Sequence, residues 1–295
     1  MLDYIEHPDL DMYFADAMTP GETLSQSTAK VLLQKSPHHA WAQHPRYGGH
    51  PRKVSVSMKL GSIIDELLTN DGRRLMVIAH DDYRKADAKA ARDAAIGVGL
   101  IPVKQNEYAD MQDMAERARK NLLFHGVDLE PSKKQVCILW DELASNGNKV
   151  QCKALIDFLY PGLIRDLKAT ESCAPGRQLD AKCIRFGYPI QAAAYLSALE
   201  HVYPDDAGRI RFENVWIEDD WPHEVLISEM SGEALQYGRV MWQRAVDIWE
   251  ECTRTNRWPG YQQRGSAPYR VELPSWASEE MFNALDEEGT DGTSE

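Results

Sequence analysis

Three apolar, strand-like runs in quick succession near the middle of the chain constrain its fold more than any other feature. Val136-Cys137-Ile138-Leu139-Trp140 is rich in residues that suit a pleated, half-buried surface. Asn146-Gly147-Asn148 is a turn signal, and a second apolar run follows it. The spacing predicts a hairpin of residues 135–142 and 149–159. Pro161-Gly162 then leads into a third short strand, Leu163-Ile164-Arg165-Asp166-Leu167-Lys168. A chain with this centre is built on a sheet, and its flanks must supply the cover.

The flanks read as helices. Residues 24–43 begin with the capping candidates Ser25 and Ser27 and carry Val31, Leu32 and Leu33 on one face, with Ser36-Pro37 bending or ending the run. A second helix begins near Gly61, where Ile63, Ile64, Leu67 and Leu68 share a face. Residues 81–97 and 106–125 suit two more. Past the third strand, Gly187–Tyr203 reads as a helix, 209–218 and 223–230 as strands, and 233–255 as a long amphipathic helix with Leu235, Trp242, Val246 and Trp249 inward. This order predicts an α/β fold, a mixed central sheet flanked by helices, with a helical N-terminal part. A single domain is expected over 1–285, helical to about residue 130 with the sheet core at about 131–280. The acidic stretch 286–295 is expected to be disordered.

Charges inside the apolar strands carry the chemistry. Asp157 lies towards the end of the second strand; Asp166 and Lys168, two apart on the third, point to one face of the sheet. A tight turn at Pro161-Gly162 brings Asp157 close to Asp166. Two adjacent carboxylates in apolar strands need a partner or a metal. Mg²⁺ or Mn²⁺ takes oxygen ligands and keeps several waters, so one or two Asp suffice when phosphate supplies the rest. A lysine beside the ion orients water or stabilises charge on phosphate. The plain alternative is a set of surface acids on ordinary strands.

Composition removes other classes. No run of about 18 apolar residues suggests a membrane span. Met1–Asp11 holds four acids and no Lys or Arg, unlike a secretory leader, so a cytoplasmic location is expected. The five cysteines include no C-x-x-C pair, which disfavours zinc or iron–sulfur chemistry. A net charge of −13 argues against a protein that coats nucleic acid, while leaving room for a local basic groove.

The D-x₈-D-x-K pattern of Asp157, Asp166 and Lys168 resembles the PD-(D/E)XK nuclease superfamily, and further segments resemble the RecE-type exonuclease VIII group of phage recombination systems. Leu24-Ser25-Gln26-Ser27, with Lys30, Leu32-Leu33 and Ser36-Pro37, is similar to that group's opening helix. Gly61-Ser62-Ile63-Ile64-Asp65 is similar to its G-T-x-x-H helix, Tyr188-Pro189-Ile190-Gln191 through Tyr195 to its Y-x-x-Q-x-x-x-Y helix, and Leu273-Pro274-Ser275-Trp276-Ala277 to its closing L-P-x-W-A. These segments span roughly residues 22 to 277. The resemblance implies Asp157, Asp166 and the Leu167 carbonyl as metal ligands, and Lys168 beside the attacking water. It implies Gln191 and Tyr195 on one face of a helix near the site, as catalytic groups or as a structural brace. Where the group has a His ligand this chain has Asp65, a hard oxygen donor, with Glu66 next to it as the alternative. Ile156 replaces the usual Pro, and the usual Arg is missing, Lys153 being the nearest cation.

The implied activity is Mg²⁺- or Mn²⁺-dependent hydrolysis of linear duplex DNA from its ends, 5′ to 3′, by a ring-shaped homo-oligomer working beside a single-strand annealing protein. Ser27, Lys30, Arg165, Lys182 and Arg185 are the candidate DNA contacts. The alternatives are another PD-(D/E)XK enzyme, an endonuclease or a Cas4-like nuclease, and a catalytically idle DNA-binding module.

Overall fold

A computed structural model describes residues 2–50, 56–69, 72, 74–262 and 265–290. Two units divide the chain, Met1–Gly260 and Tyr261–Glu295. The first contains, in chain order, β1 (Leu2–Ile5), α1 (Leu10–Phe14), β2 (Leu24–Ser25), α2 (Gln26–Gln34), α3 (Pro37–Gln43), α4 (Val56–Thr69), β3 (Leu75–Ile78), α5 (Ala86–Gly97), β4 (Ile101–Lys104), α6 (Gln105–Phe124), β5 (Lys133–Leu143), β6 (Lys149–Tyr160), β7 (Leu163–Thr170), α7 (Arg177–Arg185), α8 (Tyr188–Val202), β8 (Arg211–Glu218), β9 (Val225–Glu229) and α9 (Gly232–Thr255).

The predicted hairpin and third strand form the centre of a mixed sheet ordered β1-β5-β6-β7-β8-β9, with β2 pairing β6 in parallel. β5–β6 and β6–β7 are antiparallel. β7 and β8 run parallel, so the chain between them crosses the sheet through α7 and α8. Helices cover both faces. On one, α2, α8 and α9 pack on Val136, Ile138, Trp140, Cys152, Ala154 and Ile156. On the other, α4 and α6 pack against Phe158, Val215 and Ile217. The expected α/β class with a helix-flanked mixed sheet is what the chain adopts.

Two helices set the position of the site. α8 is buried all round, with Ala192, Ala193, Ala194 and Ala198 letting it sit close on the sheet. Pro189 lies in its first turn, where a missing N–H costs nothing. α9 crosses α8 at Gly238, where a Cβ would collide with the Pro189 carbonyl; only glycine allows that approach.

The N-terminal part is less helical than its sequence suggests. β1 joins the main sheet against β5, and β3 and β4 make a separate parallel pair. At four residues each, these strands are too short for a two-residue period to stand out. The run over 24–43 divides into β2, α2 and α3. Pro37 forces Ser36 into extended backbone (φ −158°, ψ 162°), and the freed Ser36 hydroxyl then caps α3 by accepting from the His39 amide. The helix expected from Gly61 starts at Val56, and α7 adds a helix between the third strand and α8 where the sequence pattern shows none.

In the second unit α10 (Ser275–Thr290) begins inside the Leu273–Ala277 segment, with the Ala277 and Ser278 amides donating to the Pro274 carbonyl. This helix takes in the first residues of the stretch expected to be disordered from 286; residues 291–295 lie outside the described residues. Among the described residues no helix is long and apolar enough to cross a membrane.

Candidate active site

Asp157 occupies a gap in the sheet. The β5–β6 register runs from Lys133↔Leu159 to Leu143↔Lys149, and the one opposed pair left out of it is Gln135 and Asp157. Gln135 has φ 51°, a left-handed conformation that a non-glycine residue holds only when its surroundings fix it. It is fixed: its amide donates to Thr69 Oγ1 at 3.0 Å. On the other side, β6–β7 pairing ends at Phe158↔Arg165. The Leu167 amide, beyond that point, donates instead to Asp157 Oδ2 at 2.9 Å. The strands therefore part at the residue whose carboxylate faces the cleft.

Asp166 and Lys168 project from β7 beside it. Asp166 is 2% exposed; its Oδ1 accepts from Gln191 Nε2 of α8 at 2.6 Å, and its Oδ2 is ion-paired with Lys168. Lys168 Nζ also donates to the Leu167 carbonyl at 3.3 Å and lies 4.8 Å from the Tyr188 ring centroid. Asp65, from α4, completes the group: its Oδ1 is buried with no hydrogen-bond partner. Glu66 turns away, accepting from the Arg74 amide at 2.8 Å. Asp65, Asp157, Asp166, Leu167, Lys168, Gln191 and Tyr195 all line one cleft of about 710 Å³.

The electrostatics follow from burial. Desolvation, then the charges of Asp157 and Glu66, push the Asp65 carboxyl well above its ordinary value. Desolvation also raises Asp157, against the pull of Lys168 and the Leu167 amide. It lowers Lys168 to about 8, although Asp157 and Asp65 favour its charged form. Burial raises the Tyr195 phenol well above its ordinary value.

Among the described residues, no three His, Cys, Asp or Glu side chains already form a metal cage. The donors nevertheless fit a hard divalent ion. Asp65 offers an unpartnered buried oxygen, Asp157 an oxygen besides the one Leu167 holds, Asp166 an oxygen met only by an ammonium, and Leu167 a carbonyl. Residues with raised carboxyl pKa values around one orphaned acceptor are short of positive charge, which such an ion supplies.

The candidate DNA contacts separate into three groups. Ser27 and Lys30 line the cleft at the start of α2. Arg185 is not among the residues lining it, and its guanidinium is 5.3 Å from the Phe186 ring centroid. Arg165 and Lys182 are committed elsewhere. Arg165, one residue from Asp166 and so on the opposite face of β7, pairs with Glu213 at 2.7 Å. Lys182 Nζ is held by Thr170 Oγ1 at 2.5 Å and the Ser172 carbonyl at 2.9 Å.

Sequence reasoning missed a second polar cluster on the cleft wall. Asp16, 1% exposed at φ 58°, ties three cations or potential cations: Lys153 at 2.7 Å, Arg46 at 3.0 Å and His44 at 3.4 Å. Lys153 and His44 line the cleft with Asp157, and burial lowers the pKa of both. Lys153, four residues from Asp157, shares its face of β6, a signal available in the spacing; its link to Asp16 is long-range and leaves no such signal.

A mixed sheet with two aspartates and a lysine at a strand break, braced by a glutamine from a buried helix, defines a PD-(D/E)XK nuclease core. The chain belongs to the family described as "PDDEXK-like domain of unknown function (DUF3799)", whose pattern matches residues 25–267. Among solved structures, a candidate exonuclease from Eubacterium rectale shares the fold: TM-score 0.61 and 14% identity, covering 91% of this chain and 96% of its own. The structure of SSO0001 superposes with a TM-score of 0.29 at 11% identity, covering 69% of this chain and 87% of its own. No curated protein matches by sequence. Family and fold together support a nuclease.

Proposed function

We propose that this protein is a metal-dependent exodeoxyribonuclease that hydrolyses phosphodiester bonds of linear duplex DNA from the 5′ end, in recombination of the phage type. Its substrate is a double-stranded DNA end, its ion Mg²⁺ or Mn²⁺, and its setting the cytoplasm of a bacterial or phage-infected cell. The proposed working form is a ring-shaped homo-oligomer with a single-strand annealing protein as partner. What carries the reading is the convergence of Asp65, Asp157, Asp166 and Lys168 on one cleft, with the Asp65 oxygen left unpartnered.

Asp65, Asp157, Asp166 and the Leu167 carbonyl would hold the ion. When bound, it supplies Lewis acidity, lowering the pKa of water and neutralising charge on phosphate. The protein's own groups do the rest. The Leu167 amide fixes the Asp157 carboxylate, and Gln191 fixes Asp166. Lys168, whose ammonium is paired with Asp166 and donates to the Leu167 carbonyl, would present Nζ to an incoming phosphate oxygen or water. Lys30 and Ser27 contact the backbone at the cleft wall.

The test is purified protein with Mg²⁺ on linear duplexes labelled at either end and on covalently closed circles. Loss of the 5′ label first, with circles intact, is the expected result. Cleavage of circles points to an endonuclease, and tight end-binding without hydrolysis in either Mg²⁺ or Mn²⁺ points to an idle binding module.

A further inference from the structure

Beside the cleft, two aromatic rings on either side of a glycine form an offset stack. Phe186 follows the last residue of α7 and Tyr188 begins α8, with Gly187 between them at φ 66°. Their ring centroids are 5.9 Å apart and their planes within 27°. Two residues of α2 lie against this corner. A Cβ on Gly187 would sit 2.8 Å from Lys30 Cδ, and Gln34 of α2 donates to the Arg185 carbonyl at 3.0 Å.

The pair grades from the site to solvent. Tyr188 lines the cleft, and Lys168 Nζ lies over its ring. Phe186 is 43% exposed. Cations lie against both rings: Lys30 Nζ is 5.6 Å from the Tyr188 centroid, and the Arg185 guanidinium is 5.3 Å from the Phe186 centroid, where an arriving base would displace it. A partly exposed ring, stacked on a residue of the cleft wall and bordered by positive charge, matches what an unpaired nucleotide needs. Its base has a π-face to stack, and its backbone a phosphate to neutralise.

We propose that Phe186, stacked on Tyr188, is a platform for an unpaired nucleobase at the mouth of the cleft, so that the enzyme engages DNA whose terminal base has left the duplex. The ligand is single-stranded DNA at a frayed or overhanging end. Stacking on Phe186 places the adjoining phosphate towards Lys168, and the platform makes Phe186 a specificity-determining residue. This rests on the nuclease reading for its purpose, but the binding it describes does not need hydrolysis.

The experiment uses the full chain in EDTA, with duplexes carrying a short overhang that ends in 2-aminopurine, whose fluorescence falls when it stacks on an aromatic ring. Wild type should quench the probe. Phe186→Ala, a change at an exposed ring, should abolish quenching and weaken binding about tenfold, within the roughly 5- to 150-fold that base–aromatic stacking spans; Phe186→Trp should restore both. With Mg²⁺, Phe186→Ala should raise KM on blunt duplex more than it lowers kcat. Equal quenching and affinity in wild type and Phe186→Ala overturns the platform, even if DNA is hydrolysed normally. A change of oligomeric state in Phe186→Ala, with DNA binding unaltered, overturns it too and makes the patch a protein contact. Quenching without hydrolysis in any divalent metal leaves the platform standing and defeats the nuclease reading.

Discussion

Gln191 Nε2 donates to Asp166 Oδ1 at 2.6 Å, joining a buried helix to the strand that carries Lys168. Because α8 is packed on every side, this bond transfers the rigidity of the core to one carboxylate. Gln191 thereby orients Asp166 within the cleft.

Removing that brace should loosen the carboxylate without removing it. Gln191→Leu is expected to fold and to lose about 10- to 100-fold in metal affinity or turnover, the usual cost of an orienting partner beside a metal ligand. Mg²⁺ titration of the hydrolysis rate checks this, with thermal unfolding as the control.

Asp65 should matter through its charge. Asp65→Asn keeps the shape but removes an anion from a site short of cations, and a nearby unit charge is worth up to about 4 kcal/mol at an effective dielectric of about 20. Mg²⁺ affinity should fall at least about tenfold, while Asp65→His should retain activity best with Mn²⁺. Calorimetric metal titration separates the two variants.

The raised carboxyls of Asp65 and Asp157 link stability to pH in a definite direction. Their folded pKa values exceed the ordinary 3.8, so the metal-free folded state binds more protons than the unfolded chain in between. That contribution is complete below 3.8 and is lost as pH rises through the folded values. Lys168, lowered to about 8 from 10.5, acts oppositely, and stability recovers between those two values. The share of the metal-free melting temperature that these two carboxyls carry, read as wild type against Asp65→Asn and Asp157→Asn, should therefore fall from acid to neutral pH. The gain on adding Mg²⁺ should grow over the same range, because the ion displaces those protons.

The Asp16 cluster should be structural. Asp16→Ala strands Lys153 and Arg46 without their anion and is expected to cost about 3–5 kcal/mol, as breaking a buried ion pair does. Asp16→Asn, which tolerates the left-handed backbone and keeps acceptor and donor atoms, should lose less. Urea unfolding of both variants measures the difference.

Legibility in the sequence depended on range. The β5–β6–β7 unit is readable because its period, turn residues and apolar content agree over a few dozen neighbouring positions. Asp157, Asp166 and Lys168 come with it, since alternation alone puts the last two on one face. The same alternation puts Arg165 on the opposite face, paired with Glu213. The partners of Lys182, Thr170 and Ser172, come close only after α7 folds back, which no local pattern shows. Nothing local announces that Gln135 adopts φ 51° opposite Asp157, nor that Asp16 meets Lys153 from across 137 positions of chain. Short strands such as β3 and β4 carry too few residues to reveal a period.

The central claim is that Asp157, Asp166 and Lys168 together cut DNA with a divalent ion, and the most direct measurement compares wild type with Asp166→Ala on linear duplex DNA in Mg²⁺. Wild type should degrade the duplex and stop on adding EDTA, and the variant should show wild-type far-UV dichroism with no hydrolysis. Undiminished, Mg²⁺-dependent degradation by Asp166→Ala would contradict the account.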